Sequence, residues 1–270
     1  MSEFLTNMMN SQRERMTRIS EEERAPVRAQ ALAKRAASRP HLFREALLRT
    51  DRTNIIAEVK RSSPTAGAIR SGADVLQVAA DYERAGAAAI SVLTEGTFFG
   101  GSLDDLKRAA CFAQIPCLRK DFVVDEHQVY EAAAAGASAI LLIVAGLSER
   151  VLVNLRSLAE DDLGMDALVE VHSGDEVAVA LNAGAGIIGV NNRNLQTLQV
   201  TLDTSRKVSK LSHGDALLVA ESGLKTAQDV AELKALGYNA FLIGEALMRA
   251  GDCESTLREM VSIGAEALGQ

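Results

Sequence analysis

Four segments of this chain repeat one local pattern: RAGAAAISVL, AAGASAILLI, NAGAGIIGVN and ALGYNAFLIG align on Gly86, Gly136, Gly184 and Gly237. In each, an amphipathic stretch stops at a glycine and a β-rich apolar run follows almost at once. The glycine stands where a helix must end, because only glycine takes the left-handed conformation there without a steric penalty. A helix–Gly–strand unit with a period of roughly 20 to 35 residues is one β/α step, repeated. The runs IIAEV, AISVL, CLRK, AILLIV, ALVEV, IIGV, LLVAES and AFLIGE supply about eight strands from Asn54 onward. Their continuous apolar character means that both faces are covered, as in a parallel sheet. Ser102-x-x-Asp105, Asp125-x-x-Gln128 and Ser173-x-x-Glu176 place a short oxygen side chain at the helix starts between them. The expected fold is one (β/α)8 barrel. A doubly wound open sheet is the alternative, but it usually has fewer strands and often a G-x-G-x-x-G turn after the first strand, and none is found at that place here.

Residues 1–53 differ from the rest. They are rich in Arg yet carry Glu21, Glu22 and Glu23, unlike an acid-poor transit peptide. Leu42, Phe43, Ala46 and Leu47 are spaced as a helical stripe behind Pro40. We expect a helical extension over 1–53, with the Leu42–Leu48 helix packed at the barrel mouth, and a barrel over 54–270. The longest uncharged stretch, Ala132 to Leu147, is short of the ~20 apolar residues that span a bilayer. No signal-peptide h-region is present, and the expected setting is cytoplasmic.

A net charge of −7 and an aromatic content of 4% argue against nucleic-acid and membrane-surface binding, while leaving room for a local positive pocket. Cys111, Cys117 and Cys253 show no C-x-x-C spacing and read as buried small residues in a reducing compartment. They form no zinc pattern with His41, His127, His172 and His213, so no metal is expected.

Polar residues cluster at the C-terminal ends of the strands, where barrels build active sites. The first strand ends Glu58-Val59-Lys60, whose alternation turns Glu58 and Lys60 the same way. Lys120, Glu170, Asn191 and Glu221-Ser222 end later strands, and Gly244 ends the last. Burying an unpaired charge costs several kcal/mol, roughly, so three glutamates and two lysines on one ring point to chemistry, with ordinary ion pairing as the bland alternative. Glu221-Ser222-Gly223-Leu224 and Ile243-Gly244-Glu245 follow the seventh and eighth strands, the usual place of a phosphate. Gly223 and Gly244 permit close backbone approach. His172 reads as the opening of the next helix, His127 as a helix-surface residue, and Asp125 and Glu126 as charges favoured at a helix start.

At these residues the chain resembles the indole-3-glycerol phosphate synthases of tryptophan biosynthesis. The motifs are IIAEVKRSSPTAG, SVLTEGTFFGGSLDDL, CLRKDFVVDEHQVYEAAAAGASAILLI, LVEVH, IIGVNNRNL, VAESGLKTAQDV and FLIGEALM. The resemblance implies a carboxy-lyase on a (β/α)8 barrel with an N-terminal helical segment. Its reaction converts 1-(2-carboxyphenylamino)-1-deoxyribulose 5-phosphate to indole-3-glycerol phosphate, releasing CO2 and water, without a cofactor. It further implies Lys120 as the acid for ring closure, Glu170 as charge stabiliser, and Lys60 with Glu58 in dehydration. Asn191, Arg193 and Ser63 would orient the anthranilate carboxylate, Glu221 the sugar hydroxyls, and Pro64, Phe99, Phe122 and Leu142 an apolar slot. Lys60, Ser222, Gly223, Gly244 and Glu245 would meet the phosphate. A second ammonium and partial burial predict a lowered pKa for Lys120. The partner is a small phosphorylated molecule; a monomer, docking to neighbouring pathway enzymes, a Schiff-base aldolase and a non-catalytic barrel subunit are the further possibilities.

Overall fold

In the computed structural model, which describes residues 2–263, eight parallel strands close into a barrel, each paired with its neighbours in sequence and the last with the first. They are β1 (Asn54–Val59), β2 (Ala89–Leu93), β3 (Cys117–Lys120), β4 (Ala139–Ile143), β5 (Asp166–Val171), β6 (Ile187–Asn191), β7 (Leu217–Glu221) and β8 (Ala240–Ile243). The open-sheet alternative is thereby excluded. The portion of the expected barrel segment at 264–270 lies outside the described residues.

Helices α1 (Glu3–Thr17), α2 (Glu21–Ala36) and α3 (Leu42–Leu47) precede the barrel. Around it run α4 (Val75–Arg84), α5 (Leu103–Phe112), α6 (Glu126–Ala135), α7 (Glu149–Ser157), α8 (Gly174–Asn182), α9 (Asp203–Val208), α10 (Ala227–Ala235), α11 (Glu245–Arg249) and α12 (Cys253–Ser262). Ser102, Asp125 and Ser173 each accept a backbone N–H at a helix start. The four aligned glycines have φ between 81° and 98°, the left-handed stop that their sequence positions require.

Strand alternation divides the core into two layers. Ile55, Ala57, Val59, Ile140, Leu142 and Val169 face the helices. Ile56, Leu118, Leu141, Leu168, Val219 and Leu242 fill the barrel. Leu142 is thus on the outer face, and Leu141 and Ile143 take the inward position expected of it.

The N-terminal helices reach both ends of the barrel. Leu5 and Met9 of α1 pack into the inner layer, and a side chain at Gly146, just past β4, would collide with Met9. Alongside α6 runs α2, tied at its start by Arg24 to Asp125 (2.8 Å) and near its end by Arg35 to Leu163 O (2.7 Å). The third helix does not sit at the mouth. His41 and the Arg44 N–H bind the two carboxylate oxygens of Asp166, the first residue of β5, at 3.0 and 2.9 Å. Asn54 at the start of β1 donates to Leu47 O (2.8 Å). Phe43 and Leu47 therefore close the base, where the strands begin and the inner apolar layer would otherwise meet water. Of the cysteines, Cys117 and Cys253 are buried, but Cys111 is exposed on α5, correcting the expectation for that residue. No helix among the described residues is long and apolar enough to cross a membrane.

Candidate active site

The strand ends surround a cavity of about 840 Å³. Inward-facing positions of five strands deliver its polar groups: Glu58 with Lys60 just past β1, Lys120 from β3, Glu170 from β5, Asn191 from β6 and Glu221 from β7. Asn191 and Glu221 are register partners across β6 and β7. These positions follow from the period of two: Leu118 to Lys120, Leu168 to Glu170, and Val219 to Glu221 each step from the apolar layer to the mouth.

Two ion clusters result. Lys60 donates to Glu58 at 3.1 Å, with its ammonium 5.8 Å from the Phe99 ring centroid. Lys120 donates to Glu170 at 3.0 Å and lies 3.0 Å from Glu221, the latter an ion-pair contact without hydrogen-bond alignment. Both oxygens of the buried Glu221 carboxylate lack a hydrogen-bond partner among the described residues. Burial pushes the Glu221 carboxyl up to about 7; Lys120 opposes this and Glu170 adds to it. Glu170 is also buried, but Lys120 and His172 outweigh that effect and hold it below the usual carboxylate range. For Lys120, burial acts downward, yet Glu170, Glu221 and Glu58 together raise it above an ordinary lysine. The expected lowering of Lys120 is therefore reversed, because three carboxylates surround it and outweigh burial.

Two glycines make room for these carboxylates. A side chain at Gly189 in β6 would run into Glu221, and one at Gly244 would come within 2.5 Å of Glu58 Oε1. Gly244 thus serves the carboxylate as well as the lining of the cavity.

One wall is aromatic. Phe99 and Phe122 lie 6.4 Å apart between centroids, and Phe4 of α1 lies edge-on to Phe122 at 6.3 Å. Pro64 joins them, with Leu141 and Ile143 in place of Leu142. Glu95 holds the loop bearing Phe99 by accepting the N–H groups of Thr97, Phe98 and Phe99. On the facing side, Asn191 accepts the Arg193 N–H at 3.0 Å, and Arg193 reaches Thr65 and Leu198 O, each at 3.3 Å. Ser63 accepts the Ala66 N–H at 3.1 Å. Ser222 and Gly223 leave β7 with φ of 64° and 83° and line the cavity with Gly244 and Glu245. A left-handed serine is uncommon away from tightly constrained turns. Lys225 and Arg249 stand on the same rim.

Phe4 has no place in the sequence reading, and His172 departs from the one given to it. His172 does not open α8, whose N-cap is Ser173. It continues the alternation two residues past Glu170, and its Nε2 lies 3.3 Å from Glu170 Oε1. His127 is buried on α6, 3.7 Å from Glu131. Among the described residues no group of three His, Cys, Asp or Glu side chains could hold a metal ion.

Comparison with known proteins agrees with this arrangement. The family model for indole-3-glycerol phosphate synthase matches residues 5–260. The chain is 46% identical over 241 residues to an indole-3-glycerol phosphate synthase of Koribacter versatilis, covering 88% of this chain and 92% of the relative. It is 47% identical over 218 residues to one of Endomicrobium trichonymphae, covering 81% and 84%. Among solved structures it is similar in fold to 3-hexulose-6-phosphate synthase of Salmonella typhimurium, with a TM-score of 0.63, 14% identity, and coverage of 80% and 98%. Thiamine phosphate pyrophosphorylase of Pyrococcus furiosus gives a TM-score of 0.60 at 18% identity, covering 82% and 100%. With the match running from α1 to α12 and across every strand that feeds the cavity, this chain belongs to the indole-3-glycerol phosphate synthase family.

Proposed function

We propose that Lys120, held between Glu170 and Glu221, is the proton donor in the reaction of this family. That reaction is the conversion of 1-(2-carboxyphenylamino)-1-deoxyribulose 5-phosphate to indole-3-glycerol phosphate, with loss of CO2 and water. The observation that carries this reading is one ammonium within 3.0 Å of two buried carboxylates, at the floor of a cavity with an aromatic wall.

Ring closure joins an aromatic carbon to the substrate's ketone carbon and leaves negative charge on the ketone oxygen. A nascent alkoxide is far more basic than a carboxylate. Lys120 keeps its proton in the presence of its glutamates and yields it to that oxygen. Glu170, ionised beside it, stabilises the positive charge that develops on the ring system. Loss of CO2 then restores aromaticity on the way to the indole. Lys60 and Glu58, already paired, handle the departing hydroxyl and the last proton. Asn191, Arg193 and Ser63 orient the anthranilate carboxylate against the wall of Pro64, Phe99 and Phe122. Glu221 faces the sugar hydroxyls, which supply the donors its oxygens lack. The phosphate sits on Ser222, Gly223, Gly244 and Glu245, within reach of Lys60.

The raised pKa of Lys120 disfavours a Schiff-base mechanism, which needs an unprotonated amine. The test is formation of the indole chromophore from the carboxyphenylamino substrate. Lys120→Met should fold and bind but lose about 10²–10⁴-fold in kcat. Lys120→Arg should not restore the rate, since a guanidinium is too weak an acid. Turnover by Lys120→Met within a few-fold of the parent would move the donor role to Lys60.

A further inference from the structure

Lys120 meets two carboxylates at the same distance, and one cation cannot compensate both. What distinguishes them lies behind Glu170. There the His172 ring, with only 10% of its side chain exposed, faces a carboxylate through each nitrogen: Nε2 is 3.3 Å from Glu170 Oε1 and Nδ1 is 3.5 Å from Glu176 Oε2. A neutral imidazole has one N–H and one lone pair, so one nitrogen would turn a lone pair toward an anionic oxygen. The imidazolium carries positive charge on both, and the two contacts are ion-pair contacts without hydrogen-bond alignment. Glu176 is itself fixed, because its carboxylate accepts the His172 backbone N–H at 2.7 Å and its own N–H meets the N-cap Ser173. Charges therefore alternate outward from the cavity through Lys120, Glu170, His172 and Glu176. Among the described residues the one cation paired with Glu221 is Lys120 itself.

We propose that His172 is a positioning residue for this reaction: as a cation behind Glu170 it keeps that carboxylate ionised and directed at Lys120. This rests on the function proposed above and adds to it the group that fixes the charge and direction of Glu170. The groups that face the imidazole are Glu170 of β5 and Glu176 of α8, with Lys120 of β3 and Glu221 of β7 beyond Glu170. In agreement, although burial acts against its charged form, contacts with Glu170 and Glu176 raise His172 to about 9.

Two measurements on the full chain test this. The first is side-chain NMR titration of the four histidines, with His172 assigned by its disappearance in His172→Gln. His172 should titrate well above a free histidine, and Glu170→Gln should lower it by about one pH unit or more. The second is the pH–rate profile of kcat. Without the cation Glu170 is easier to protonate, so His172→Gln should move the acid limb up by about one pH unit. A merely structural histidine would lower melting temperature and leave that limb in place. If His172→Gln does not fold, Glu176→Gln carries both arms: it should lower the His172 titration and bring the alkaline loss of activity to lower pH. Titration of His172 at or below the free value of ~6.5 overturns the proposal, and so does an acid limb unmoved in a folded His172→Gln. If the parent forms no indole product, the functional reading fails. The NMR arm then still decides whether His172 is the cation behind Glu170.

Discussion

A carboxylate that finds no hydrogen-bond donor is costly to keep, and Glu221 is buried in that condition. Its carboxyl is raised from 4.5 to about 7 in the folded protein. The native state thus holds a proton that the unfolded chain has released. The resulting stability is complete below about 4.5 and is lost as pH rises through about 7. Glu221→Gln removes the titration. At pH 8 it should be more stable than the parent by about 1–3 kcal/mol in denaturant unfolding, with the gain vanishing toward pH 4.5, and it should be nearly inactive. Equal stability at pH 8 would mean that water or Lys120 already satisfies the carboxylate. His172 works in the same direction at higher pH: its contribution is complete below 6.5 and lost as pH passes about 9. Both contributions are lost as pH rises, that of Glu221 first and that of His172 after it.

At the level of strands and helices, small residues decide how closely the charged ones can assemble. Gly189 has ordinary strand geometry, and its lack of a side chain is what admits Glu221. Gly189→Ala should cost about 1–3 kcal/mol by overpacking and should displace Glu221. Activity should fall far more than circular dichroism changes, and a fully active, equally stable Gly189→Ala would refute the crowding argument. The same alternation explains what could be read in advance. β1, β3, β5 and β7 each carry a polar residue at the mouth, which fixes the phase of the whole strand. Glu58, Lys60, Lys120, Glu170 and Glu221 were therefore legible as one ring. β4 is apolar throughout, AILLI, so nothing marks which set faces inward, and Leu142 was assigned to the wrong side. His172 was missed because the alternation continues past the last residue of β5, while its neighbour Ser173 bears the capping signal. The apolar stripe of α3 shows that this helix needs a partner. It does not show which end of the barrel supplies one, since Asp166 is 125 residues from His41.

For the molecule as a whole, residues 1–53 hold the barrel at both ends, and the two ends should respond differently to truncation. Removing residues 1–18 takes away Phe4 and Leu5 from the cavity and Met9 from Gly146. The barrel should stay folded while KM rises roughly tenfold or more, the equivalent of losing one buried apolar side chain. Removing residues 1–53 uncovers the base, and Phe43→Ala alone should cost about 3–5 kcal/mol. A cooperative thermal melt of the longer truncation near the parent's midpoint would show that α3 does not carry this weight. The same arrangement sets a problem for biosynthesis. Helices α1 and α3 leave the ribosome early but dock on a barrel that only its last strand closes: Asn54, which anchors α3, also donates to the carbonyl of Asn239, 185 residues later. At a translation rate of ~5–20 residues per second, the apolar faces bearing Leu5, Met9, Phe43 and Leu47 wait roughly 10 to 40 s for a binding surface. The segment that finally shields the barrel from water is thus, while the chain is being made, the part most in need of shielding itself.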